Sequence, residues 1–172
     1  EVNMTNQISS TIRAQLESCS VPAVVSTLFR MGYQNVFLTG VRPLSSTAPT
    51  MVGPAMTLRT IPIREDMRKA IEDGHRENFQ ARAFAEIGQG EVLICEAAGV
   101  TETALLGDMV VTAFKVRGVA GVVLDGGVND RAAIEIIGFP VYAAGDASHP
   151  TDISQALMNL SIVVVSQYSR GT

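Results

Sequence analysis

The sequence predicts an α/β domain with a substantially parallel central sheet, and three observations carry that expectation. From Glu91 onward, short apolar runs alternate with segments of helical length, as they do when crossover helices join parallel strands. The helical segments stop at glycines, Gly118 and Gly138, which suit the left-handed position that ends a helix. The strand-like runs are apolar throughout instead of alternating, as strands buried on both faces are.

Taken in order, Ile8, Ile12 and Leu16 recur at four-residue spacing and give a first helix one apolar face. Ser20 followed by Val21-Pro22 supplies a capping hydroxyl and a first-turn proline to a second helix, which should run to about Met31 and stop at Gly32. Residues 36–38 and 55–61 have the β-branched and apolar content of short strands, with Gly53-Pro54 breaking the chain ahead of the second. The charged stretch 64–78 leads into helical periodicity from Phe79 that ends at Gly88. This reads as a solvated helical excursion, with His75 facing solvent. Strands at 92–95, 119–124 and 141–144 then alternate with helices at 108–116 and 131–137.

With 172 residues and no linker-like shift in composition, the chain reads as one domain, 1–172, with a sizeable core. The net charge of −4 comes without any Lys/Arg run, which argues against direct nucleic-acid or anionic-membrane binding. No apolar run is long enough to span a bilayer, and the polar start lacks a secretory pattern, so a cytoplasmic location is expected. Cys19 and Cys95 form no Cys-x-x-Cys pair and read as buried thiols in a reducing compartment. Asn3-Met-Thr and Asn159-Leu-Ser fit the glycosylation pattern, but without a secretory signal they read as chance matches.

Ligands of parallel sheets sit at the carboxyl ends of the strands, here residues 96–108 and 125–130. Gly107-Asp108 opens a helix whose first amides lack internal partners at the positive end of the helix dipole, a seat for a small carboxylate or phosphate. Asp130 opens the next helix after Gly126-Gly127, read as a flexible turn, and can project over the sheet edge toward the same space. A lone carboxylate in a wet cleft suits a hard divalent ion that keeps several waters. Aspartate is also a common helix cap, so pattern alone leaves Asp108 and Asp130 open between cap and ligand.

The succession Val52-Gly-Pro-Ala-Met-Thr-Leu, Gly90-Glu-Val-Leu-Ile, Leu106-Gly-Asp, Arg117-Gly-Val-Ala-Gly-Val-Val-Leu-Asp-Gly-Gly-Val-Asn-Asp and Gly138-Phe-Pro-Val-Tyr resembles the RraA-like family. That family contains the regulator of ribonuclease E activity A and the class II 4-hydroxy-4-methyl-2-oxoglutarate aldolases, and its members are often mislabelled as demethylmenaquinone methyltransferases. The resemblance spans roughly residues 21–164 and is most specific from Gly107 to Asp130. It implies a layered β/β/α swivelling-type domain assembled as a homotrimer or hexamer, with sites between subunits. It further implies a Mg2+ or Mn2+ ion held by Asp130. Asp108 would act on water at the ion, and the helix start at Gly107, Asp108, Met109 and Val110 would hold the carboxylate of a small oxo-acid.

One position departs from the family pattern. Where the aldolases place arginine before the metal-binding aspartate, this chain has Asn129. Cleavage leaves a pyruvate enolate, and an arginine stabilises its oxygen with a full charge where asparagine offers only a neutral hydrogen bond. Arg131 and Arg59 are the candidate replacements, each also readable as a surface arginine. The carboxyl end also departs from the family, whose members usually continue through further glycine-rich strands. The end of the chain is therefore expected to be shortened or divergent.

Under that resemblance two functions remain open. The first is a divalent-metal lyase that forms pyruvate from 4-hydroxy-2-oxo acids or decarboxylates oxaloacetate, with Asp108, Asn129 and Asp130 as its catalytic residues. The second is a non-catalytic regulator that binds a protein such as a ribonuclease. A methyltransferase is not supported, because no glycine-rich strand-to-helix turn with an acidic ribose-binding residue occurs at suitable spacing.

Overall fold

The computed structural model describes residues 8–60 and 65–147, together with the backbone of 160–165. Among these, one seven-stranded sheet forms the centre. Four parallel strands lie side by side: β2 (Met51–Arg59), β3 (Val92–Glu96), β5 (Gly121–Val128) and β6 (Val141–Asp146). Antiparallel β1 (Arg42–Pro43) flanks β6, and antiparallel β7 (Leu160–Val165) flanks β2, giving the order β1-β6-β5-β3-β2-β7. β4 (Ala104–Leu106) pairs in parallel with the second half of β5, beyond the residues paired with β3.

Register explains how the core forms. Met56, Leu93, Val122 and Val141 line up across four strands, and Leu58, Cys95, Leu124 and Ala143 form the next row two residues on. Because strand side chains alternate faces, both rows point the same way. There they meet Ala83 and Ile87 near α4 (Phe79–Glu86), Val111 and Phe114 of α5 (Asp108–Val116) and Ile134 of α6 (Arg131–Ile137). The opposite face carries a smaller cluster of Met51, Val92, Val123 and Tyr142. The fold expectation holds: this is a mixed α/β domain around a mainly parallel sheet.

Several local expectations are corrected. Gly53-Pro54 does not precede β2 but lies within it. A Cβ on Gly53 would meet the Gly90 carbonyl oxygen at 2.1 Å, so glycine is what lets the chain pass there. Residues 36–38 form no strand, and Phe37 and Leu38 are exposed. Strand β5 begins at Gly121 instead of residue 119 and runs to Val128, so Gly126-Gly127 is strand and not a flexible turn. Cys19 is exposed, its thiol donating to Gln15 O at 3.3 Å, whereas Cys95 is buried as expected. His75 is exposed. Residues 61–64, Asn3 and Asn159 lie outside the described residues.

Side-chain caps open the first two helices, the second at Ser20 as expected. Ser9 accepts from Ile12 N at α1 (Ser10–Ser18), and Ser20 accepts from Ala23 N at α2 (Val21–Arg30), with Pro22 in the first turn. The expected apolar face of α1 is not used, since Ile12 is exposed and the helix buries no residue. Its link to the body is polar: Arg13 donates to the carbonyls of Val52 and Gly90. No helix among the described residues is long and apolar enough to cross a membrane.

Arg117 follows α5 and holds α4 in place. Its guanidinium donates to the carbonyls of Phe84, Ala85 and Ile87, groups that the end of α4 leaves without helical partners. Arg117→Ala should therefore lower the unfolding free energy by about 1–3 kcal/mol, read from the urea midpoint. Arg117→Lys, without the planar fork, should fall between Arg117→Ala and the parent. An unchanged midpoint in Arg117→Ala would mean that α4 docks without it.

Candidate functional site

The site forms where β4 and β5 end side by side. Asn129 N donates to Leu106 O at 3.0 Å, which fixes the residue after β5 against the residue before Gly107. A Cβ built on Gly107 would stand 2.7 Å from Asp130 Oδ2 and 3.4 Å from Asn129 Cβ. The Asp130 carboxylate thus occupies the space beside the amino end of α5, and only glycine at 107 leaves room for it. The structure brings Gly107, Asn129 and Asp130 together, with Asp108 half-buried in the first turn of α5.

Asp130 is the N-cap residue of α6 by position, yet its side chain makes no capping hydrogen bond. Its backbone is left-handed, φ 57° and ψ 36°, a conformation that costs most L-residues roughly 1–2 kcal/mol and aspartate less. The carboxylate is exposed and turned toward Gly107. The cap alternative left open by the sequence therefore does not describe Asp130.

At α5, the first intrahelical bond runs from Val111 N to Gly107 O at 3.1 Å. The amides of Asp108, Met109 and Val110 precede it and have no helical partner. The Met109 side chain is 82% exposed, while Val110 packs on the main core cluster. Only the backbone of these two residues is offered at the helix start.

Asn129 is half-buried, and its Oδ1 is buried without a hydrogen-bond partner. Neither candidate arginine reaches it. Arg131 pairs with Glu135 at 3.0 Å and Asp146 at 3.2 Å and donates to Leu44 O at 3.4 Å. The hydrogen bond that Arg131 donates to Glu135, and after it the one donated to Asp146, holds its pKa above the usual value. Arg59 pairs with Glu96 at 3.3 Å on the exposed ends of β2 and β3.

The sequence reading missed what shapes the neighbouring loop, residues 97–103. A Cβ on Gly127 would meet Thr101 O at 2.5 Å and Thr103 O at 2.8 Å, and one on Gly126 would meet Ala97 Cβ at 2.7 Å. Asp125 Oδ1 accepts from Ala97 N, and Ala98 takes a left-handed φ of 52°. The Gly-Gly pair in an apolar run was the available signal. A second missed feature is a cleft of about 370 Å³ lined by Pro43, Leu44, Ser45, Ser46, Arg131 and Glu135. No local pattern announces it, because β1 and α6 meet only in the fold.

Among the described residues, no three His, Cys, Asp or Glu side chains gather as a metal cage. The exposed, uncapped Asp130 carboxylate instead fits a hard ion that keeps most of its waters and takes its remaining oxygens from a ligand.

A model of the RraA-like family, described as Aldolase/RraA, matches residues 21–167. The chain belongs to the RraA-like family. A protein of Halalkalibacterium halodurans provisionally named 4-hydroxy-4-methyl-2-oxoglutarate aldolase is 30% identical over 105 residues, 61% of this chain and 44% of that one. One of the same name from Shewanella oneidensis is 32% identical over 95 residues, 55% of this chain and 56% of that one. The matched region is thus about half the length of these curated relatives. Among solved structures, Streptomyces coelicolor RraAS2, described as an unusual member of the RNase ES inhibitor RraA protein family, superposes with a TM-score of 0.73. It is 27% identical to this chain, with 91% of this chain and 71% of that one covered.

The left-handed backbone and the crowding at Gly107 set up a stability test. Asp130→Gly, which relieves the backbone, should unfold within about 1 kcal/mol of the parent or later, and Asp130→Ala should be the less stable of the two. Gly107→Ala should cost little, because the atom it meets ends a movable side chain, but it should displace the carboxylate. Urea denaturation of the three variants reads these differences. If Asp130→Ala proves as stable as Asp130→Gly, the left-handed conformation carries no cost.

Proposed function

We propose that this chain is a divalent-metal-dependent lyase acting on small 2-oxo acids, by retro-aldol cleavage of a 4-hydroxy-2-oxo acid to pyruvate or by decarboxylation of oxaloacetate. The observation that carries this reading is the Asp130 carboxylate, uncapped and held in a left-handed backbone against Gly107 at the amino end of α5. Strain and an unspent carboxylate at one point mark a site kept for a ligand.

Each residue has a part in the chemistry. The free amides of Asp108, Met109 and Val110 receive the substrate carboxylate at the positive end of α5. Asp130 would hold a Mg2+ or Mn2+ ion, whose charge, when bound, would draw electron density toward the substrate's oxo oxygen. Asp108 takes up the proton of the 4-hydroxyl through an intervening water. The C3–C4 bond then breaks, its electron pair passing through C3 to the C2 oxygen as a carbonyl forms at C4, and the proton taken by Asp108 returns through water to C3 to complete pyruvate. Asn129 stands where an arginine would meet the growing charge, and as a neutral group it leaves that charge less well stabilised. Loss of one such interaction typically costs about a hundredfold in rate.

The full chain with Mg2+ or Mn2+ should therefore release pyruvate slowly from oxaloacetate or from 4-hydroxy-4-methyl-2-oxoglutarate. Chelator and Asp130→Ala should each abolish release, and Asn129→Arg should raise the rate by about a hundredfold. Release that survives both chelator and Asp130→Ala would reject the mechanism. No release from either substrate under either metal would favour the second reading, a regulator that binds a partner such as a ribonuclease, which the uncharged Asn129 and the likeness to RraAS2 support.

Residues 1–172 are read as one domain, cytoplasmic and assembled as a homotrimer or hexamer, with no direct role for nucleic acid or membrane. Assembly is supported by the segment that includes and follows α2: Phe29, Met31, Tyr33, Phe37 and Leu38 are all 49–68% exposed within ten residues. A monomer rarely leaves so dense an apolar patch in water. Light scattering after gel filtration should give a trimer or larger, and Phe29→Ser/Phe37→Ser should shift it toward monomer. A parent that elutes as a monomer at micromolar concentration would remove this part of the reading.

A further inference from the structure

Strand β4 leads into Gly107 with a strand on one side only. Among the described residues it pairs with β5 alone, and the carbonyls along a strand alternate between its two edges. Leu106 O faces β5, where it accepts from Asn129 N at 3.0 Å, so Leu105 O faces the other edge. Leu105 is buried, and its carbonyl needs a donor from elsewhere in the chain.

Gln80 supplies that donor. Its Nε2 donates to Leu105 O at 3.0 Å, and because a carbonyl only accepts, the nitrogen end of the amide is the one that faces it. The helix makes no claim on this side chain. Gln80 lies in the first turn of α4, whose cap is Asn78, accepting from Ala81 N at 3.0 Å. Further along, Phe84 meets Phe114 of α5 edge-on with ring centres 5.5 Å apart, and Arg117 binds the carbonyls at the end of α4. The segment from β4 through α5, with Gly107 and Asp108 at its bend, is thus held by α4 at both ends.

We propose that Gln80 is a positioning residue of the candidate site, acting through Leu105 to keep Gly107 against Asn129 and Asp130. Drawing β4 away from β5 and α4 breaks the bond from Gln80 together with the bond from Asn129 N to Leu106 O. Without Gln80 that local opening becomes easier by the worth of one hydrogen bond. The inference rests on the proposed function only for what the site does with this geometry.

Amide hydrogen exchange, followed by NMR on the full chain, reads the opening at Asn129 N. Gln80→Met keeps the bulk and loses the donor, and Gln80→Glu keeps the shape and offers only acceptors. Both should speed exchange of the Asn129 amide about tenfold. A carboxylate in the first turn favours α4 itself, so Gln80→Glu separates loss of the grip from loss of the helix. Arg117→Ala, which frees the far end of α4, is the control and should change the Asn129 rate less than about twofold. An Asn129 rate equal to the parent's in both Gln80 variants would overturn the proposal. So would a rise matched in Arg117→Ala, which would mark a general loss of stability. Where the parent releases pyruvate, both Gln80 variants should lower kcat/KM about tenfold or more, and a parental kcat/KM in both would overturn the positioning role. A parent that releases none sinks the lyase reading, while the exchange rates still decide for or against Gln80.

Discussion

The whole arrangement depends on how β5 shares its edges. Its first half pairs with β3, its second half with β4, and its other edge with β6, so one strand of eight residues ties together most of the sheet. β3 must give way to β4 midway, and the loop that makes the exchange has to pass close over Gly126-Gly127. Side chains there would collide with Thr101 O, Thr103 O and Ala97 Cβ, so the glycines are a packing requirement of the exchange. Once it is made, the end of β5 lies beside the end of β4. Asn129 and Asp130 are then delivered to Gly107 by backbone hydrogen bonding, before any side chain contributes.

What could be read in the sequence is what is local. Helices α5 and α6 fall on the expected residues because a glycine stop and an apolar period are written within each segment. The cap at Ser20 is equally local. The misses are all consequences of distant chain. Gly53-Pro54 reads as a breaker until Gly90 is known to lie against it, and Gly126-Gly127 reads as a turn until residues 97–103 close over it. Residues 36–38 have strand composition, but no neighbour offers them a pairing edge. At the site, the identity of Asp130 was legible, but its freedom from capping was not: aspartate tolerates the left-handed region, and nothing local decides whether it adopts that conformation or caps α6.

The segment leading into the domain shows how far an apolar pattern can mislead within a single chain. Helices α1 and α2 are well capped, and α2 is largely apolar, yet neither buries a residue. Helical stability in water comes mainly from tertiary packing, and caps alone do not replace it. Arg13 supplies a polar attachment to Val52 and Gly90, which fixes where the first helix sits without covering its apolar side. Chain that is anchored but uncovered suits an assembly in which another surface completes the burial.

Two unfavourable features stand side by side at the end of β5. Asp130 holds a strained backbone without the capping bond that would offset it, and Asn129 buries an oxygen without a donor. A purely structural helix start has inexpensive remedies for both: glycine at the first position, or an apolar side chain at the second. Keeping neither remedy makes sense if the end of β5 is spent on a ligand, with the Asp130 carboxylate on a hydrated cation. The uncharged amide then has a definite consequence. Compared with a guanidinium it offers less stabilisation of negative charge, which cleavage requires. Under the lyase reading, the rate at this site is therefore governed by Asn129, where the aldolase pattern has arginine.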